Sequence, residues 1–545
     1  MSTLHLVETV IVLLAVVLAL TTIARTLLIP YPILLVVGGL AIAIVPGLPV
    51  VRLDPDLVFL VFLPPVLWSA AYFTSLRDFR YNVRPISLLA VGLVLATTAA
   101  VAVAARAVMP GLGWPAALAL GAIVSPPDAV AATAIARRLS IPRRVITVLE
   151  GESLVNDATA LVLYRAAVAV MVGGSFVVWQ TLAQFVVSAV AGVAIGIAVG
   201  IATRYALMLT DDSFTEIAIT LLAPYVAWVA AESLHASAVL ACVAGGLHLR
   251  QNFSAVVSPV TRIQARAVWD LLVFVLNGVI FILIGLQLAT LRQSIPAHEL
   301  GALLWQGAVV SAAAITVRLA WVPIAAYLPR LLSPSLRARD PMPPWSQIFL
   351  IAWTGMRGIV SLAAALALPL TTATGAPLPF REEIILLTFA VILTTLVLQG
   401  LSLTPLIRRL DFGDDDVLER EETHAREHAA RTALERLDQL ARERWAPPEQ
   451  VDRMRTHYTQ RARRFSELGD PECSAEAAAA QRRLRHETLT AERHAVIRLR
   501  DEGVISDEVL HRIEYELDVE AMRIGLGERR LPVDGPRPTD RPADP

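Results

Sequence analysis

Lysine is absent from this 545-residue sequence, and cysteine is rare. Without lysine there is no G-x-x-x-x-G-K-[ST] loop, so the sequence excludes an ATPase of the P-loop type. Every fixed side-chain cation is therefore an arginine. The two cysteines, Cys242 and Cys473, cannot anchor a disulfide framework or a metal site. We expect no cofactor.

Charged residues are also scarce, and they are unevenly placed. They make up 17% of the chain, against about 25% in ordinary soluble domains, whereas hydrophobic residues make up 55%. Much of the chain must therefore be hidden from water. The net charge of −1 gives no reason to expect a nucleic-acid partner. We predict a transmembrane domain over 1–410 and a charged, mostly helical tail over 411–545 with a disordered C-terminal end.

Apolar stretches of about 20 residues are long enough to cross the hydrocarbon core of a bilayer. The first of them lacks the basic segment and cleavage site of a signal peptide, so we interpret it as a retained helix. The sequence predicts an all-α membrane protein with about 13 transmembrane helices. The predicted spans are 7–25, 28–46, 55–73, 86–109, 114–136, 145–171, 176–203, 215–234, 236–249, 267–290, 303–328, 346–370 and 383–406.

Arginine is concentrated in one set of alternate loops, which we call the arginine-rich loops. Short cytoplasmic loops carry an excess of positive charge, so the N-terminus is predicted to lie outside and the tail in the cytoplasm. The expected location is the cell inner membrane, with membrane lipid around the spans. The opposite loops hold only Arg52, Arg292 and Arg381, with Arg106 near the outer end of the fourth span. The arginine-rich loops hold Arg25, Arg77, Arg80, Arg84, Arg137, Arg138, Arg143, Arg144, Arg204, Arg250, Arg262, Arg266, Arg330, Arg337, Arg339, Arg408 and Arg409.

Three charged residues fall near the middle of predicted spans. At a rise of ~1.5 Å per residue, Asp128, Asp157 and Arg357 all lie close to the bilayer midplane. Glu152 lies about one turn nearer to the cytoplasm than Asp157. A charge at such a depth costs at least ~2.5 kcal/mol on insertion scales, so it indicates a functional site. Three other charges are assigned to packing or interfaces: Arg318, Glu232 and Asp270.

The segment around Asp157 places several polar groups on one face of a helix. Asn156 follows Ser153 by three positions and Asp157 follows it by four, so the three residues share one face of the helix. A carboxylate, a hydroxyl and an amide supply hard oxygen ligands, which suit a cation such as sodium better than a soft transition metal. We predict that these three residues bind the ion, with Asp157 and Ser153 as ligands of Na⁺.

Two spans contain helix-breaking residues at the depth of these charges. Pro126 and Pro127 precede Asp128 in the fifth span, and proline removes a backbone donor and clashes with the preceding turn. Gly355 and Gly358 add flexibility to the twelfth span. Broken helices in corresponding halves are typical of transporters built on inverted repeats. We predict two inverted six-helix repeats with discontinuous crossing helices.

Together these motifs resemble those of the monovalent cation:proton antiporter-1 family, which includes NhaP-type sodium/proton antiporters and the animal sodium/proton exchangers. The resemblance covers roughly residues 5–410, and the tail lies outside it. The Asn-Asp pair with its upstream Glu-Ser, together with Met-Arg-Gly, carries most of the likeness. The matching segments are Ile29–Pro32, Phe62–Trp68, Ser125–Val130, Glu152–Asp157 and Gly355–Gly358.

The resemblance implies roles for the residues of the ion site. Asp157, aided by Ser153, would carry sodium and protons alternately. Pro127 stands where many members have threonine, so a hydroxyl ligand is lost and only the backbone carbonyl of Pro127 is left to coordinate the ion. The pairing of Asn156 with Asp157, in place of two aspartates, is similar to that of electroneutral one-for-one exchangers.

The resemblance also implies residues that support the site. Asp128 would neutralise helix ends where the broken segments cross. Glu152 and Arg357 would form the ion pair that joins the sixth and twelfth spans. Members of the family form homodimers, so a homodimer is expected here too.

The combined prediction is a sodium/proton antiporter that works by alternating access and serves pH homeostasis, and not an enzyme. Sodium needs the carboxylate of Asp157 ionised, whereas a proton discharges it, so the two ligands exclude each other. Potassium/proton exchange is an alternative, because discrimination by ion size depends on the shape of the cavity. A transporter-derived sensor or channel-like protein is another, although Asp157 beside Ser153 and Asn156 favours transport.

Overall fold

The structure is a computed structural model that describes residues 3–27, 30–43, 55, 58–128, 133, 141–173, 178–293, 300–410, 412, 416–443, 445–467, 471–502 and 504–523. Within these residues the chain is mainly helical and contains no β-strand. The prediction of an all-α protein is therefore confirmed. The chain divides into two compact units, Met1–Asp415 and Asp416–Pro545. The predicted disordered end lies outside the described residues from position 524 onward.

The helices are numbered along the chain, leaving out two short ones, Leu76–Tyr81 and Pro334–Arg339. The first unit contains α1 (Thr3–Leu27), α2 (Tyr31–Ala43), α3 (Val58–Phe73), α4 (Val83–Val108), α5 (Trp114–Val124), α6 (Arg143–Val172), α7 (Val178–Met208), α8 (Ser213–Ser233), α9 (Ala238–Val256), α10 (Pro259–Gln293), α11 (Leu300–Leu332), α12 (Trp345–Trp353), α13 (Ile359–Leu366) and α14 (Arg381–Leu410). The second unit contains α15 (Asp416–Leu440), α16 (Pro448–Glu467), α17 (Pro471–Asp501) and α18 (Asp507–Arg523).

Seven of the described helices are long and apolar enough to cross a membrane. Four shorter apolar helices, in α1, α2, α3 and α5, accompany them. The chain is thus a multi-pass membrane protein, and the figure of about 13 spans stays a prediction. The long apolar helices lie within α4, α6, α7, α8, α10, α11 and α14.

Helix α6, which has 30 residues, carries the predicted site residues Glu152, Ser153, Asn156 and Asp157. It begins directly after Pro142, whose fixed φ suits the entry to a helix. It ends at Gly173, which adopts φ 119° in the left-handed region that favours glycine. These two residues set the ends of α6 and leave its polar segment near the middle.

Helices α2 and α10 approach each other backbone to backbone. A Cβ on Gly285 would lie 2.1 Å from the carbonyl oxygen of Val36, and one on Gly39 would lie 2.3 Å from that of Ile282. Small residues at a membrane interface permit such an approach. The contact fixes α10, which contributes Asp270 and Asn277 to the site described below.

Two helices are interrupted at the same place in the fold. Helix α5 ends at Val124, and Ser125 separates it from the two prolines; the chain between α12 and α13 is not helical. The backbone N–H of Asp128 donates to the carbonyl of Met356 at 2.7 Å, so the two interruptions are hydrogen-bonded to each other. The prediction of discontinuous crossing helices is confirmed. The second half of the predicted fifth span, apart from Thr133, lies outside the described residues.

Candidate ion-binding site

The middle of α6 passes directly beside the two interruptions. Asn156 is fully buried, and its Nδ2 donates to the carbonyl oxygen of Pro127 at 3.0 Å. The break in α5 frees carbonyl groups from their helical partners, and the Asn156 amide satisfies one of them. Asn156 therefore ties α6 to the chain that follows α5.

The second interruption holds the carboxylate of Asp128 against the start of α13. Gly358 is the residue before α13, and a Cβ placed on it would lie 1.8 Å from Oδ2 of Asp128. The first turn of a helix has unpaired N–H groups and a partial positive charge, which a carboxylate stabilises. No larger residue fits at position 358 without displacing Asp128.

A cavity of about 270 Å³ lies between α3, α6, α10 and the two interruptions. Four of the predicted site residues line it: Asp157, Ser153, Asp128 and Pro127. The structure thus brings together the carboxylate, the hydroxyl and the carbonyl that the sequence proposes as ion ligands. Asn156 is not among the lining residues, and it serves the Pro127 carbonyl instead.

Further polar residues, which the sequence pattern did not indicate as site residues, line the same cavity. Ser69 lies on α3, Glu150 on α6, Asp270 and Asn277 on α10, and Ser361 on α13. Asp270, which was assigned to packing, therefore belongs to the wall of the cavity. Its position near the start of an apolar helix, after an arginine-rich loop, was the available signal for it.

The predicted ion pair between Glu152 and Arg357 is wrong. Glu152 pairs with Arg318 of α11, through Nη1 to Oε1 at 2.5 Å and Nη2 to Oε2 at 2.9 Å. Both side chains are only 1% exposed, and Arg318 also donates to the carbonyl of Ile351 at 3.0 Å. The pair therefore joins α6 to α11 and to α12.

Arg357, which lies in the second interruption, donates hydrogen bonds to backbone carbonyls. Its Nε donates to the carbonyl of Val124, the last residue of α5, at 2.9 Å, and its Nη1 donates to the carbonyl of Gly355. Its backbone N–H donates to Oγ1 of Thr395 on α14 at 3.2 Å. Carbonyl groups freed inside a membrane need donors. Arg357 supplies them at the end of α5 and between α12 and α13.

The sequence also offered a signal for Arg318. It lies well inside the 33-residue α11, so its depth deserved the same weight as that of Arg357. The expectation that Arg318 only packs, near a helix end or on an unbroken span, overlooks Pro323, which lies in the same helix. Glu232, also assigned to packing, pairs with Arg165 at 3.1 Å, and both side chains are largely exposed.

A second cavity, of about 870 Å³, follows α6 on the other side of Asp157. It begins at Ala158, the residue after Asp157, and extends past Tyr164 and Arg165 to Val172. The first cavity instead extends toward Glu150 and Asp270, near the arginine-rich loops. The Asp157 carboxylate thus lies where two cavities approach the same helix from opposite ends.

A sequence profile described as the transmembrane sodium/hydrogen exchanger matches residues 11–409. The chain belongs to the sodium/hydrogen exchanger family. The predicted resemblance to the monovalent cation:proton antiporter-1 family is therefore confirmed. The match ends close to the end of α14, before the second unit.

Curated relatives of this exchanger-family chain cover most of its length. It is 35% identical over 502 residues to a Mycobacterium tuberculosis protein named as an uncharacterized Na(+)/H(+) exchanger, covering 90% of this chain and 91% of the relative. It is 32% identical over 427 residues to a Bacillus pumilus protein named as a sodium, potassium, lithium and rubidium/H(+) antiporter, covering 75% and 62%.

The fold is similar to that of a solved structure, the sodium proton antiporter MjNhaP1 from Methanocaldococcus jannaschii. The TM-score is 0.59 at 20% sequence identity, and the match covers 76% of this chain and 100% of that chain. At this identity the similarity establishes the shared fold. The predicted antiporter architecture is thereby confirmed.

Proposed function

We propose that this exchanger-family protein exchanges sodium for protons at Asp157. One observation carries the proposal. Asp157 is 6% exposed and lines the cavity, yet no arginine or histidine among the described residues lies within ion-pair distance of it. A buried carboxylate without a fixed counter-charge is unfavourable unless a proton or a cation neutralises it. Exchange is the cycle that alternates those two partners.

Neither of the two nearby buried arginines is paired with Asp157. This supports a site in which one carboxylate balances the charge of one transported ion. Arg318 is paired with Glu152, and Arg357 serves backbone carbonyls. Asp128 lies against the start of α13.

Among the described carboxylates that line the cavity, which also include Glu150 and Asp270, Asp157 alone is buried. We therefore assign the transported ion to it, and one sodium would replace one proton. This stoichiometry makes the exchange electroneutral.

Oxygen atoms around Asp157 suit a hard monovalent cation. Ser153 and Pro127 line the cavity with it, and the Pro127 carbonyl, which accepts from Asn156, keeps a second lone pair that an ion could use. Potassium stays the second candidate, because the Bacillus pumilus relative is named for sodium, potassium, lithium and rubidium. We place Asn156 and Asp128 as positioning residues and Asp157 and Ser153 as ligands.

Alternating access would use the two cavities in turn. The first cavity reaches Asp157 from the side of the arginine-rich loops, and the second stops at Ala158. Rocking one helix bundle against the other would close one path and open the second. We assign the arginine-rich side to the cytoplasm of an inner-membrane homodimer, with the N-terminus outside. A cytoplasmic tail and a role in pH homeostasis belong to the same proposal.

The tail is proposed to modulate exchange and not to perform it. The described residues that line the first cavity all belong to the first unit. Removing residues 416–545 should leave sodium-dependent exchange intact and at most shift its pH dependence. The measurement compares truncated and full-length protein in proteoliposomes across pH at saturating sodium. A folded truncation that shows no exchange at any pH would mean that the tail is required for exchange, which contradicts the proposal.

Proton flux in proteoliposomes tests the proposal directly. Sodium, lithium and potassium are offered in turn to the wild-type protein, to Asp157→Asn and to the exposed-loop control Asp211→Asn. Wild type and Asp211→Asn should exchange sodium for protons, and Asp157→Asn should be inactive although it elutes as a folded protein. Undiminished sodium-dependent flux in Asp157→Asn rejects the proposed site. Flux with potassium alone favours the second candidate.

A further inference from the structure

The first turn of α13 forms one wall of the ion cavity. Gly358, Ile359, Val360 and Ser361 all line it, and Ser361 is the third residue of the helix. Ser361 is only 1% exposed. A buried hydroxyl therefore lies at the cavity on the side contributed by the second interruption, whereas Ser153 lies on α6.

The Oγ atom of Ser361 has no hydrogen-bond partner among the described residues. Buried serine and threonine hydroxyls within helices usually donate to a carbonyl one turn earlier. Thr388 and Thr395 of α14 do so, to Ile384 at 2.8 Å and to Val391 at 2.8 Å. Because α13 begins at Ile359, Ser361 has no complete helical turn before it to offer that acceptor.

An unpartnered buried hydroxyl loses its interactions with water and regains nothing from the protein, which is unfavourable. In native proteins such atoms are a minority, and a bound water or ion is one of the explanations for them. Ser361 thus has a buried hydroxyl without a partner among the described residues, and the residue itself lines the cavity that contains Asp157. A cation in this cavity would supply the missing partner.

We propose that Ser361 contributes an oxygen ligand to the transported cation, opposite the ligands of α6. The proposal rests on sodium/proton exchange at Asp157. The cation would then be held by Asp157 and Ser153 on α6 and by the hydroxyl of Ser361 on α13. A neutral hydroxyl is a hard oxygen donor, as a sodium site requires.

Charge near the start of α13 permits a cation at that position. The N-terminal turn of a helix has a partial positive charge that would repel sodium. The Asp128 carboxylate lies against this turn, next to Gly358, and offsets that charge. The same carboxylate that stabilises the helix end therefore makes the hydroxyl of Ser361 usable by a cation.

The proposal predicts a change in apparent affinity without a loss of stability. Ser361→Ala should raise the KM for sodium about tenfold at a fixed alkaline pH and leave kcat within about twofold, because the lost interaction is made in the bound state and throughout the cycle. Ser361→Thr keeps the oxygen and should stay close to wild type. Neither the folded yield nor the Tm should fall in Ser361→Ala, since no protein hydrogen bond is lost.

Thr97→Val supplies a matched control. Thr97 on α4 is fully buried, its Oγ1 also has no described partner, and it lies outside the lining of the ion cavity. Its replacement by valine should leave the KM for sodium unchanged. An equal rise in KM in Thr97→Val and Ser361→Ala would show a general packing effect and overturn the proposal.

Sodium-dependent thermal stabilisation gives a readout that does not need turnover. A ligand that binds the folded state raises Tm according to its concentration relative to Kd. Ser361→Ala should need about tenfold more sodium than wild type for the same rise in Tm. If alanine prevents folding, the equal-sized pair Ser361→Thr and Ser361→Val gives the same comparison, with valine alone weakened.

The outcomes separate this inference from the proposed function. If Asp157→Asn is inactive and Ser361→Ala has the KM and the sodium-dependent Tm of wild type, the ligand role of Ser361 is rejected and exchange at Asp157 stands. If Asp157→Asn exchanges normally, the proposed function itself fails. A raised KM restored by Ser361→Thr, with Thr97→Val unchanged, supports Ser361 as a ligand.

Discussion

Two clusters of acid and arginine in the first unit differ in their access to water. Glu152 and Arg318 form a pair that is 1% exposed on both sides, deep between α6 and α11. Asp340, in the loop before α12, is 16% exposed and accepts from three arginines near helix ends. The first cluster is a single buried pair beside the ion site, whereas the second is a partly hydrated junction of several helices.

The difference predicts different consequences of losing one partner. In the buried pair, removal of the acid leaves an arginine charge with neither water nor a counter-charge. In the Asp340 cluster, Arg84 and Arg144 retain partial access to solvent, which screens their charges. Arg330 is only 3% exposed, but it also donates to the backbone carbonyls of Ala326 and Asp340 and would keep those partners. Burial, and not the number of ionic contacts, therefore decides which cluster contributes more to stability.

The largest effect is expected at the buried pair. Glu152→Gln should lower the free energy of unfolding by about 3–5 kcal/mol, because it leaves Arg318 charged and buried. Adding Arg318→Met should restore part of the loss. Adding Arg357→Met should restore none of it, because Arg357 serves the carbonyls of Val124 and Gly355. Unfolding in detergent measures all three. Recovery with Arg357→Met in place of Arg318→Met would contradict the pairing.

A smaller effect is expected at the partly hydrated cluster. Asp340 accepts from Arg330 at 2.6 Å, from Arg84 at 2.8 Å and from Arg144 at 2.9 Å. Asp340→Asn should lower the free energy of unfolding by about 1.5–3 kcal/mol at neutral pH, as the loss of hydrogen bonds to a charged group does. Unfolding under the same detergent conditions measures it. A loss as large as that of Glu152→Gln would show that burial is not the deciding factor.

The pH dependence of this loss has a definite sign. Burial raises the pKa of Asp340, but the hydrogen bond and charge of Arg144 and the charges of Arg330 and Arg84 outweigh burial, so the pKa lies below its ordinary value. A lowered pKa stabilises the fold above the unfolded value of about 3.9, and this contribution is lost as pH falls through the folded value. The difference in the free energy of unfolding between wild type and Asp340→Asn should therefore persist at neutral pH and shrink below about pH 4. A gap that widens in acid contradicts this assignment.

The smallest effect is expected at an ion pair of the second unit. Arg455 of α16 and Asp438 of α15 are joined at 2.6 Å, and both side chains are well exposed. Exposed pairs contribute about 0–1 kcal/mol, so Asp438→Ala should change stability by less than about 0.5 kcal/mol and leave exchange unchanged. Chemical unfolding of the full chain followed by far-UV circular dichroism measures it. If Asp438→Ala lowered the free energy of unfolding as much as Asp340→Asn does, burial would not determine how much an ion pair contributes to stability.

The sequence alone predicted much of the site, because charges and helix breakers stand out in apolar segments. Asp157, Ser153 and Asp128 line one cavity, and the two interruptions meet as the prolines and glycines predicted. These features depend on local sequence. A carboxylate at mid-depth and a proline within a span can each be recognised without knowledge of any neighbour.

The partners of buried charges could not be predicted in the same way. Glu152 and Arg318 are 166 positions apart, and their pairing depends on how α11 is rotated about its axis. Apolar helices carry little amphipathic pattern to set that rotation. The resemblance implied Arg357 as the partner of Glu152, and this was wrong. The carbonyls to which Arg357 donates can be identified only once the positions of the two interruptions are known. Ser361 could not be recognised from the sequence either. A serine in an apolar helix usually donates to a carbonyl of its own helix, and only the structure shows that this one does not.

The most direct test of the central claim is the KM for sodium measured against pH in proteoliposomes that contain the wild-type protein. If sodium and protons compete for the carboxylate of Asp157, the KM rises as pH falls, by up to about tenfold per pH unit, because the two ligands are linked at one site. The maximal rate at saturating sodium then stays nearly constant. A maximal rate that falls with pH while the KM stays unchanged would show that the proton binds elsewhere, and would contradict competition at Asp157.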